Sequence, residues 1–142
     1  MFEVDSMKTK IVTAAVIFLA FIMCIHHLPF GKEMDVVHSF SINSPNYKEE
    51  NIIVILNKAI VTESKERIAD NIIQRVLNND FHTIRFSFDN GYPNQLNVSI
   101  YKSKEAMVSG DVLFSFSYKQ ADGEAGEYDV SQADKMNLEI HE

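Results

Sequence analysis

One cysteine, no tryptophan, three prolines and five glycines occur in 142 residues, and each scarcity removes a class of protein. With Cys24 alone no intramolecular disulfide can form, which excludes a disulfide-stapled secreted scaffold. The five histidines (His26, His27, His38, His82 and His141) lack zinc-ligand spacing, and no second thiol is present to help them. The glycines are too scattered to cradle a phosphate, and no serine lies in a Gly-x-Ser-x-Gly turn. No metal or other cofactor is expected.

A basic surplus is missing as well. Residues 36–120 hold nine Lys or Arg and nine Asp or Glu, so the body of the chain is neutral. From Ala121 onward seven acids face Lys135 alone, which places nearly all of the net charge of −7 in the last 22 residues. A neutral body with an acidic tail offers phosphate backbones nothing to neutralise, which argues against nucleic-acid binding. The acids of the tail do not follow EF-hand spacing, and a solvated tail explains them.

What the chain does contain is one long apolar run. Lys8 and Lys10 precede Ile11–Ile25, fifteen residues without a charge, in which Thr13 is the one polar side chain. With His26 and His27 neutral, the uncharged stretch reaches Phe30, and a helix over it would be about 30 Å long, one hydrocarbon core. Pro29 stands where such a helix can stop. Ile11, Val12, Val16, Ile17, Phe18, Leu19, Phe21, Ile22 and Ile25 are the expected membrane-anchor residues.

Three fates fit this run. An uncleaved anchor is favoured, because His26-His27-Leu28-Pro29-Phe30-Gly31 offers no small residues at −3 and −1 for signal cleavage. A cleaved signal that releases a secreted module is the alternative. Lipid modification of Cys24 is a third, opposed by the bulk of Met23 before it. Lys8 and Lys10 against the single Lys32 put residues 1–10 in the cytoplasm and the C-terminal part outside, by the positive-inside tendency.

The remainder predicts an α+β domain over 47–120, with 31–46 as linker and 121–142 as the acidic tail. Within the linker, Phe40 and Ile42 alternate with Ser39 and Ser41, so a short edge strand is the other reading. Ile52-Ile53-Val54-Ile55-Leu56 is β-branched and short, the pattern of a strand in the middle of a sheet. Ile68, Ile72, Ile73, Val76 and Leu77 form a helical stripe inside Thr62–Asn79, with Thr62 or Ser64 to cap it and Asn78-Asn79 to end it.

Alternation then takes over. Ile84, Phe86 and Phe88, the turn Asp89-Asn90-Gly91, and Leu96, Val98 and Ile100 read as a hairpin. Lys102–Asp111 is a polar connection with room for one helical turn. Val112, Phe114, Phe116 and Tyr118 read as a further strand, and Met136, Leu138 and Ile140 as a short last one. The expected architecture is β-α-β-β-β: one amphipathic helix on an antiparallel sheet of about four strands.

The layout of Lys8/Lys10, the apolar Ile11–Ile25, a linker, and then Ile52–Leu56, the Thr62–Asn79 helix and the Ile84–Phe88 hairpin resembles that of small uncharacterised exported or single-pass membrane-anchored proteins of Gram-positive bacteria. The resemblance rests on layout and covers the chain in outline. It implies a cell-envelope location, no particular activity and no functional residue.

With no catalytic signature, the expected function is a non-enzymatic, membrane-anchored extracytoplasmic module that binds an envelope protein or component. Strand addition to an exposed sheet edge at Val112, Phe114, Phe116 and Tyr118 is the candidate interaction. A small envelope enzyme would instead need a site assembled from loops, with Asp89, Asp111 and His82 as its groups.

Overall fold

In the computed structural model, which describes residues 2–27 and 32–142 (side chains at 6–24 and 32–142), the apolar run forms one helix, α1 (Phe2–His27). Its stretch Ser6–Cys24 has a mean hydropathy of 1.9, and none of it is buried. Ile11, Val12, Val16, Ile17, Phe18, Leu19, Phe21 and Ile22 are all exposed. A core helix of a soluble protein shows a polar face and buries the other; α1 does neither. It is long and apolar enough to span a membrane, a test that a signal sequence also passes. The side chains of Ile25, His26 and His27, and Pro29 with the expected helix end, lie outside the described residues.

The rest of the order is β1 (Asp35–Ser44), β2 (Tyr47–Ile55), α2 (Lys65–Leu77), β3 (Gln95–Tyr101), α3 (Lys104–Ser109), β4 (Phe114–Gln120) and β5 (Met136–His141). Among the described residues five strands make one sheet in the order β1-β2-β3-β4-β5. It is α+β as expected, but the sheet is mixed. β2 pairs β3 in parallel, and the other neighbours are antiparallel.

Helix α2 forms where its stripe places it. Ser64 caps it by accepting from the Arg67 amide, and Asn79 follows its end at φ 55°. Ile68, Ala69, Ile72, Ile73 and Val76 are buried on one face of the sheet, against Ile52, Val54, Leu96, Val98, Ile100, Phe114 and Phe116. At about 1.5–3 kcal/mol for each large side chain, this layer is the main source of stability.

The expected hairpin of 81–88 with 95–101 does not form. A parallel β2–β3 pair needs a long crossover, and 81–94 is its second half. Phe81 and Phe86 are buried, and Ile84 and Phe88 pack at the margin of the core, yet among the described residues no strand pairs with this segment. Asn79 stands in for the missing strand: its Oδ1 accepts from the Phe86 amide at 2.8 Å and its Nδ2 donates to the Phe86 carbonyl at 2.9 Å. Thr83 is held by Asp35 Oδ1 and the Val36 carbonyl, both at 2.8 Å. The alternation therefore reports an extended chain with one buried side, and not membership of a sheet. The Asp89-Asn90-Gly91 turn does form, closed by the Gly91 amide on the Phe88 carbonyl at 2.9 Å.

The segments read as linker and acidic tail supply both edge strands. β1 lies within 31–46, and the tail contributes β5. Val130, buried to 1% exposure, donates its amide to the Pro93 carbonyl at 2.9 Å. Gln120 Nε2 holds the intervening loop through the carbonyls of Glu124 and Gly126 at 2.8 and 3.0 Å. The sheet accordingly runs from β1 to β5.

Candidate functional site

β4 is an interior strand, with β3 on one side and β5 on the other. Phe114, Phe116 and Tyr118 are buried beneath α2, and Val112 precedes the strand with its side chain exposed. The sheet edge expected at these four residues is therefore absent there.

The true edges are β1 and β5. β5 is short and carries Glu139, whereas Val36–Ser44 of β1 contains no charge in nine residues. Charge is the common device that keeps an edge from pairing with foreign strands, and β1 lacks it. Its register across β2 puts Phe40 and Ile42 on the face away from α2. Both are about half exposed, at 52% and 51%. Ile53 shares that open face, and beside it Tyr47, Glu49, Asn51, Gln95 and Asn97 form a connected polar side-chain network.

The other side chains of β1, Ser39, Ser41 and Asn43, turn toward the α2 side, opposite Ile52, Glu50 and Lys48. Among the described residues no helix covers them. They form one wall of a cleft of about 850 Å³, with Arg85–Ser87 and Asn90–Tyr92 opposite and Tyr128 at one end. At its floor lies Glu50, the one buried charged residue among the described residues, at 5% exposure. Glu50 Oε2 accepts from Ser41 Oγ at 2.5 Å. Its Oε1 has no hydrogen-bond partner among the described residues and is not sealed from solvent.

The cations nearest in sequence are committed elsewhere. Lys48 Nζ donates to the Ser87 carbonyl at 3.1 Å and lies 5.8 Å from the centre of the Phe88 ring. Arg85 bonds the Asn79 carbonyl. Neither forms an ion pair with Glu50 among the described residues. Glu50 was legible in principle: it shares the parity of Ile52 and Val54, the inward face of β2. The cue was masked by Glu49 beside it, which faces the other way.

Asp89, Asp111 and His82, the groups of the enzyme alternative, are all exposed, and none of them lines this cleft. His38 packs at 6.1 Å from the Phe40 ring, and His141 lies 3.4 Å from Ser117 Oγ. Among the described residues no three His, Cys, Asp or Glu side chains are grouped to hold a metal ion. Neither a protein-family model, a curated protein nor a solved structure matches the chain.

Proposed function

We propose that the protein is a membrane-anchored extracytoplasmic module that binds an envelope protein by strand addition. α1 is the anchor, with Met1–Lys10 in the cytoplasm and the five-stranded domain outside. The binding surface is the outer edge of β1, in place of the β4 segment that the sequence suggested.

The observation that carries this reading is where the exposed apolar side chains lie. Most lie on α1, and of the seven beyond it among the described residues three, Val37, Phe40 and Ile42, fall on the single strand β1, while Tyr47, Ile60, Val108 and Val112 are scattered. A surface that apolar and that free of charge calls for a cover: lipid for α1, another chain for β1. The occupant that fits β1 is an extended, uncharged segment with apolar residues on the side that meets Phe40 and Ile42. Its backbone would pair with the free amides and carbonyls of the edge.

The test is a pull-down of envelope proteins by the full chain in detergent, with Ile42→Lys and Phe40→Lys as comparisons. Both positions are half exposed, so the variants fold, and a specific partner seen with the native chain is lost. A partner retained by both variants refutes the edge. Recovery of only the chain itself assigns the edge to self-association.

A further inference from the structure

We infer that the cleft behind β1 binds an amino sugar, with Glu50 as the acceptor for its ammonium group. This is a second site, independent of the β1 edge and of the membrane topology.

The argument begins with charge. A carboxylate that keeps little contact with water is costly unless a cation or several donors replace the lost solvation. Glu50 is 5% exposed and has one hydroxyl, Ser41, as its partner. Lys48 and Arg85 also line the cleft, but each donates to a backbone carbonyl, Lys48 to Ser87 and Arg85 to Asn79, and neither pairs with Glu50 among the described residues. What Glu50 lacks is a positive group that enters by the cleft.

The walls then define the frame that carries this group. Ser39, Asn43 and Tyr92 line the cleft and make no side-chain hydrogen bond among the described residues. Hydroxyl and amide groups left unpaired in this way suit a ligand rich in hydroxyls. Tyr92, its ring tilted 36° to that of Phe88 at 4.6 Å, and Tyr128 line the cleft and present aromatic surface of the kind on which a sugar ring packs. Carboxylate, amides, hydroxyls and aromatic faces together match a hexosamine. A volume of about 850 Å³ has room for more than one ring.

The full chain, purified in a non-ionic detergent, is titrated calorimetrically with a glucosamine tetramer and with its N-acetylated counterpart. The expected result is binding of the free amine at least tenfold tighter than of the acetylated form, since acetylation removes the charge that Glu50 meets. Glu50→Gln is expected to weaken binding of the amine at least tenfold and to erase the preference. Should Glu50→Gln fail to fold, Asn43→Ala, on the exposed end of β1, is expected to weaken binding severalfold with the near-ultraviolet spectrum intact. Equal binding of the two sugars, no binding of either, or a folded Glu50→Gln that binds as the native chain does would each overturn the proposal. So would a trilysine peptide that binds as tightly as the sugar and loses as much with Glu50→Gln, because it would assign the site to peptide lysines.

Discussion

Replacing Asn79 is the sharpest probe of how the wall of the cleft is held. Asn79 adopts φ 55° and spends both polar atoms of its amide on the backbone of Phe86. Asn79→Ala removes two hydrogen bonds, worth about 1 kcal/mol each with Phe86 buried. It also places a residue that disfavours the left-handed region there, at about 1 kcal/mol more. The sum is a loss of about 3 kcal/mol, a large share of the stability of a small domain. Asn79→Gly relieves the backbone and leaves about 2 kcal/mol. Asn79→Asp keeps the acceptor for the Phe86 amide but sets an oxygen against the Phe86 carbonyl, and is expected to fall near the glycine variant.

Urea unfolding in detergent, followed by near-ultraviolet dichroism, measures this cleanly. All five tyrosines lie beyond residue 46, so the signal reports on the domain and not on α1. In the native chain the Phe86 amide is expected to resist hydrogen exchange although no strand pairs with it, and to lose that protection in the alanine variant. If alanine and glycine both fall within about 0.5 kcal/mol of the native protein, the claim that one side chain replaces a strand is wrong.

Other consequences separate core from surface. Phe116→Ala, at 1% exposure in an interior strand, is expected to cost about 3–5 kcal/mol, whereas Phe40→Ala, half exposed on β1, should change the urea midpoint little. Ser64→Ala removes the α2 cap, and a loss of about 1 kcal/mol is expected in the same assay. Burial, and secondarily Asp70, raise the pKa of the Tyr118 hydroxyl above its ordinary 10.0. A raised folded value means that its contribution is whole below about pH 10 and fades as pH climbs through the raised value. The melting temperature should therefore fall above pH 10, and less steeply in Tyr118→Phe; an equal fall in both would contradict this.

Sequence periodicity reached much of this fold, and its failures have physical causes. The α2 stripe was readable because Ile68, Ile72, Ile73 and Val76 face a single core. β3 and β5 were readable because their inward residues are apolar and their outward ones polar. β1 was obscured because its inward residues, Ser39, Ser41 and Asn43, face the cleft and not α2. Its apolar residues, Phe40 and Ile42, point outward instead. Phe81–Phe88 misled for the opposite reason: it is extended and buried on one side, yet belongs to no sheet. Strand order is a matter of tertiary pairing, and nothing local in Phe114–Tyr118 indicates that β5 would cover that edge.

The most direct test of the central claim is alkaline extraction of membranes that contain the full-length chain, with its mass measured afterwards. The account predicts intact, unprocessed protein in the membrane pellet, released by detergent alone. Unprocessed chain in the alkaline supernatant would show that α1 does not hold it in a bilayer.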